Sequence, residues 1–134
     1  MTLEQIEESL PNGLHDAEIR EIVMDYEHAR LTFAVNVLVG LPTEQNPDRE
    51  RCRPGAIVFE GVLFYSVEFP QVRSSFQHPG PAGFSYERTS AGEIPEDLEK
   101  VLLSGTQSYS FFMRDWLSHI YIAAADVSFL WSDR

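Results

Sequence analysis

The densest group of chemically versatile side chains is His15-Asp16-Ala17-Glu18. Imidazole and carboxylate together can bind divalent metal or move protons. In an extended chain, Asp16 and Glu18 point to one face and His15 and Ala17 to the other. The tetrapeptide then supplies two carboxylates, and a working site needs a distant histidine: His28, His78 or His119. A structural role weighs more. His15 and Asp16 follow Pro11-Asn12-Gly13, where short polar side chains cap backbone groups and fix the entry to a strand. No metal or cofactor site is expected.

A second group is cationic. Arg49, Arg51 and Arg53 alternate around the lone Cys52. An extended backbone puts the three guanidinium groups on one side, a fork suited to carboxylates or phosphates. A solvated loop with Asp48 and Glu50 as local partners is the plainer account. The arginines would lower the Cys52 pKa, but no adjacent histidine serves as its base, which argues against a catalytic thiol. Arg114 and Trp116, with the aromatics from Phe111 to Trp131, suit a pocket or an interface. They suit the core and cross-strand pairs of a sheet still better. The chain has no G-x-x-x-x-G-K-[ST], G-x-S-x-G, C-x-x-C or H-E-x-x-H, and no G-x-G-x-x-G after a strand. Nucleotide-dependent and zinc-protease chemistry are therefore improbable.

These side chains must be held by elements that the hydrophobic pattern outlines. Thr2 and Gln5 have capping-box spacing, and Leu3, Ile6 and Leu10 share a helical face, so a short helix is expected before Pro11-Asn12-Gly13 stops it. Leu31, Phe33, Val35, Val37 and Val39 alternate with other residues, the period of a strand ending at Gly40. Residues 17–25 fit both helical and strand spacing. The short polar break at residues 26–29 favours a strand, making residues 15–40 a hairpin. Residues 41–55, rich in Pro, Asn and Gly, read as a loop. Residues 56–69 form an apolar run in which Gly61 marks a bulge or a division into two strands. Residues 84–88 fit a short edge strand, and residues 95–104 a second helix with Pro95 in its first turn, a Glu96–Lys100 pair and Gly105 at its end. The tail from Ser108 to Trp131 returns to strand character. Runs of strands without helical crossovers indicate an α+β or mainly-β antiparallel domain.

Composition sets outer bounds. A chain of 134 residues corresponds to one domain, large enough to bury a core without staples. Ten basic residues against 21 acidic ones give a net charge of −11. Nucleic acid and anionic membrane surfaces are poor partners for such a chain. Residues 1–30 carry eight carboxylates against Arg20 and Arg30, a local net charge of −6 suited to steering a cationic partner. One cysteine excludes an intrachain disulfide. The acidic N-terminus does not match a secretory signal, so a cytoplasmic location is expected.

Leu14-His15-Asp16-Ala17-Glu18-Ile19 opening a hairpin, followed by Leu31–Val39 and then Val58-Phe59-Glu60-Gly61-Val62, resembles the bacterial immunity-protein-50-like families and their relatives with an N-terminal HDAE signature. The resemblance spans roughly residues 13–69. It implies a small domain that binds and neutralises a co-encoded polymorphic toxin, and no catalytic residues are carried over from it. The reading is thus a single α+β domain over residues 1–134, mainly antiparallel sheet with two short helices. It acts as a non-enzymatic binding protein whose partner is a protein, a cationic toxin under the resemblance. His15, Asp16, Glu18, Arg49, Arg51, Arg53, Arg114 and Trp116 are the candidate binding residues. Two other readings stand beside it: a small-ligand or metal-binding enzyme using His15, Asp16 and Glu18, and a homodimeric domain of structural or regulatory role.

Overall fold

A computed structural model describes residues 1–41, 43, 45, 51–71, 79–89 and 106–132. Among these residues the elements are a helix, α1 (Leu3–Ser9), and seven strands: β1 (Pro11–Leu14), β2 (Glu18–Asp25), β3 (Arg30–Leu38), β4 (Cys52–Val67), β5 (Ala82–Arg88), β6 (Gln107–Met113) and β7 (Ser118–Trp131). Strands β2 to β7 form an antiparallel barrel closed in the order β2-β3-β4-β7-β6-β5. The architecture is α+β and mostly antiparallel strand, as the pattern predicts. The second expected helix, residues 95–104, lies outside the described residues.

Strand β3 shows why the barrel has a well-defined interior. Leu31, Phe33, Val35 and Val37 are fully buried, while the residues between them are partly exposed. Strand β2 pairs with it from Glu18↔Asn36 to Asp25↔Arg30, so of the ambiguous residues 17–25 all but Ala17 are strand, and the hairpin is present over residues 18–38, with residues 15 and 16 in a turn before it. Its turn is held by Asp25, whose carboxylate accepts from the backbone N–H of Glu27 and His28 at 3.1 and 3.3 Å. The rings of Phe33, Phe59 and Phe111 meet edge to face with centroids 5.1–6.0 Å apart, and Phe84 leans on Phe111 at 5.7 Å. Burying each such side chain contributes ~1.5–3 kcal/mol.

Strand β4 departs from expectation at both ends. It begins at Cys52, inside the stretch read as loop, and it runs unbroken through Gly61. Pro54 and Gly55 lower the strand propensity, yet Gly55 is required there. A Cβ at Gly55 would lie 2.5 Å from Cζ of Phe129, whose ring crosses that point from β7. Gly61 adopts φ +62° next to a register slip between Val62 and Phe64, so it makes a bulge and not a division. Strand β5 is not an edge. It pairs with β6 on one side and, through Glu18↔Gly83 and Ile19↔Ala82, with β2 on the other, which closes the barrel.

α1 plugs one end of this barrel. Thr2 Oγ1 accepts from Gln5 N at 3.1 Å and Gln5 Oε1 accepts from Thr2 N at 2.9 Å, the capping box the spacing predicts. Seven residues make an unstable isolated helix. It is held by burial of Leu3 and Ile6 and by a hydrogen bond from Leu3 N to the Tyr109 hydroxyl at 3.2 Å. Pro11-Asn12-Gly13 stops it but then forms strand, because Asn12 Nδ2 donates to the carbonyls of Leu38 and Gly40 and ties β1 to the end of β3.

Candidate functional site

Two clefts with polar linings lie at the plugged end, on either side of α1. The first has a volume of ≈370 Å³ and lies between α1, the turn at residues 15–16 and β5. Helical spacing puts Glu4 and Glu7 on the side of α1 that faces β5. Glu4 pairs with Arg88, whose Nε and Nη2 donate to it at 2.9 and 3.2 Å. The Tyr109 hydroxyl directs its one proton between two acceptors, Glu4 Oε2 at 3.1 Å and Gln107 Oε1 at 2.8 Å. The Tyr86 hydroxyl donates to Glu7 at 2.5 Å. Partial burial works to raise the Glu4 carboxyl, but hydrogen bonds from its own backbone N–H, Arg88 and Tyr109, with the charge of Arg88, outweigh it and hold the pKa below its ordinary value. Tyr86 moves the other way: burial first, then the bond to Glu7 and the nearby carboxylate charges push its phenol well above the usual range.

His15 and Asp16 sit on the rim of this cleft. They occupy a turn closed by Ala17 N donating to Leu14 O at 3.1 Å, not the extended segment that would align Asp16 with Glu18. His15 Nε2 lies 3.5 Å from Asp16 Oδ2, and both side chains are mostly exposed. Asp16 caps no backbone group among the described residues; its contribution is to accept φ +62°, which Asp tolerates better than most residues. Arg114 reaches the same cleft. Its backbone N–H donates to Gly83 O at 3.1 Å, while Asp115 Oδ2 accepts from Gly83 N at 2.9 Å. The guanidinium then lies against Gly83, where a Cβ would meet Nη2 at 2.7 Å.

The second cleft, ≈490 Å³, is the barrel mouth on the other side of α1, bounded by Ser9, Pro11, Val39, Arg51, Arg53 and Trp131, with Cys52 also lining it. The Arg53 guanidinium stacks on the Trp131 ring, 4.4 Å from its centroid, and Phe129 meets that indole edge-on at 4.9 Å. Cys52 is not activated toward the thiolate by its arginine neighbours. Burial, and then the negative charge of Glu18, push its pKa up, against the lowering expected from its arginine neighbours.

The expected binding residues therefore separate. His15, Asp16 and Arg114 share the first cleft, and Arg51 and Arg53 the second. Glu18 lines neither, on β2 opposite Asn36 and Gly83. Trp116 belongs to the turn after β6, partly buried against the core. Arg49 and His78 lie outside the described residues. The other histidines do not complete the His15-Asp16-Glu18 set: His28 bonds to Asp25 at 2.8 Å, and His119 to Glu68 at 3.1 Å while stacking on Tyr121. Among the described residues, no group of three His, Cys, Asp or Glu is placed to hold a metal, and no helix is long and apolar enough to cross a membrane.

Sequence reasoning missed Tyr86, Tyr109, Arg88 and the two roles of the acidic helix. Glu4 and Glu7 are tied into the barrel, whereas Glu8 is exposed. Comparison of the chain with protein-family models, with curated proteins and with solved structures gives no match in any of the three.

Proposed function

We propose that this chain is a non-enzymatic binding protein that engages a cationic protein surface, in the manner of the toxin-neutralising immunity families its Leu14–Ile19 and Val58–Val62 segments resemble. The observation that carries the reading is a set of free carboxylates. Glu8, Glu18, Glu21, Glu27 and Glu87 have no basic partner among the described residues and are exposed or half-exposed. Their field extends about 8 Å at physiological salt and attracts a basic partner before contact. The barrel interior is filled by phenylalanine rings, so recognition falls to the surface.

The test is growth rescue and binding kinetics with the toxin encoded beside this chain. Co-expression restores growth. Association slows by about tenfold or more between low salt and ~0.5 M, while dissociation changes little. Reversal of Glu18, Glu21 and Glu27 to Lys lowers the on-rate in the same way. Glu4 and Glu7 are unsuitable for this purpose because they hold α1 in place. No rescue, or an on-rate indifferent to salt and to the three reversals, overturns the reading.

A further inference from the structure

We infer that the barrel mouth beside α1 is a binding site for a small organic anion with a planar apolar body, such as an aryl phosphate or aryl carboxylate. This site is separate from the acidic surface and does not depend on its role. Inward positions on β4 run 55, 57 and 59, and the same period brings residue 53 to the mouth. On β7 the corresponding row is Val127, Phe129 and Trp131. An arginine therefore occupies a position that the barrel pattern reserves for apolar side chains. It is accommodated by stacking over the Trp131 ring, a contact made through the guanidinium face that does not use up its in-plane N–H donors. Gly55 below it lets Phe129 cross and back the indole.

Arg51 is the second arm. Its carbonyl accepts from Val39 N at 2.9 Å and Gly40 N at 3.1 Å, which fixes the backbone two residues before Arg53. Neither arginine has a carboxylate within ion-pair distance among the described residues, whereas Arg30 and Arg88 are paired with Glu60 and Glu4. Guanidinium forks recognise planar carboxylate or tetrahedral phosphate oxygens. Pro11, Val39 and Trp131 supply apolar wall, and ≈490 Å³ suits a small ligand. The charged side chains lining the cleft among the described residues are thus cationic, against a net charge of −11 for the chain, with Glu18 acting on Cys52 from outside the lining.

The experiment follows the Trp131 indole N–H and the arginine Nε–H resonances of the full chain by NMR during titration. The probes are phenyl phosphate, inorganic phosphate and benzyl alcohol. Phenyl phosphate shifts Trp131 saturably and binds about tenfold or more tighter than either of the others, because it alone uses both the fork and the wall. Arg53→Gln weakens it by about tenfold, and Arg53→Lys, which keeps charge without the fork, falls between. Arg20→Gln, on β2, leaves the affinity unchanged. Equal affinity for all three probes, no saturable shift at Trp131, or indifference to both Arg53→Gln and Arg51→Gln overturns the inference.

Discussion

The plugged end of the barrel carries two arginine–aromatic stacks that differ in one respect. Arg88 lies 5.1 Å from the centroid of Tyr109 and is neutralised by Glu4 of α1. Arg53 lies 4.4 Å from the centroid of Trp131 and has no ion-pair partner among the described residues; from the helix side its cleft is lined by the uncharged Ser9 and Pro11. An arginine stacked on an aromatic ring is thus a structural latch on one side of α1 and an open fork on the other. What decides between them is which face of a seven-residue helix carries carboxylates. Stability should concentrate on the first side and ligand affinity on the second.

The largest effect expected is from the latch's apolar foundation. Ile6→Ala deletes a fully buried side chain from α1 and should cost ~2–5 kcal/mol in denaturant unfolding. A cost under ~1 kcal/mol would mean that the plug is not integral to the barrel.

Next is Tyr86→Phe, which leaves the Glu7 carboxylate without its phenol donor. Hydrogen bonds to a charged group contribute ~1.5–3 kcal/mol, and the loss should fall near the lower end because the site is half-buried. The same substitution has a pH signature. The folded phenol stays protonated above 10, the ordinary value at which the unfolded one ionises. The unfolded chain then binds fewer protons, so the stability Tyr86 contributes is complete below pH 10 and is lost as pH rises beyond it. Tyr86→Phe should flatten this alkaline decline; an unchanged slope would place its cause elsewhere.

How much of this was legible follows from the range of each interaction. The β3 strand and the capping box were readable because alternation and an i, i+3 pair are local. The hairpin needed only the length of a break. Closure was not readable: it depends on Glu18↔Gly83 and Ile19↔Ala82, two pairs between segments with no shared local signal. Pro54 and Gly55 read as loop by propensity, and only the crossing of Phe129 explains why Gly belongs in that strand. The site shows the same limit. Period two placed Arg51 and Arg53 on one side, but nothing near them announced Trp131. The Glu4–Arg88 pair spans 84 residues, so Glu4 looked like another free surface acid.

The Glu4–Arg88 pair itself should be worth less than the phenol. Both side chains are about half exposed, and such pairs contribute ~0.5–1 kcal/mol even with two hydrogen bonds. A double-mutant cycle of Glu4→Gln and Arg88→Gln at low salt measures the coupling. The Glu4 pKa is depressed in the folded chain, so its contribution is present above the ordinary value of 4.5 and is lost as pH falls through the lower folded value. Glu4→Gln should weaken the acid limb of the stability profile. A cycle with zero coupling and an unchanged acid limb would reduce the latch to its apolar contacts.

The smallest effect, and the one that most sharpens the contrast, is expected from Arg53→Gln. Arg53 is exposed, has no ion-pair partner among the described residues, and loses only its stack on Trp131 when shortened. An exposed cation–π contact contributes ~0.5–1 kcal/mol, and Gln retains part of the packing over the indole, so the net change should stay within ~0.5 kcal/mol. Arg88→Gln should exceed it, because there both a stack and a charge pair are removed. The two variants are compared by denaturant midpoint under one buffer at low and high salt. Salt should narrow the difference by screening the Glu4–Arg88 pair while leaving the Arg53 variant where it was. If Arg53→Gln costs as much as Arg88→Gln, the Trp131 stack is itself a latch, and the mouth of the barrel is held shut by the residues here assigned to binding.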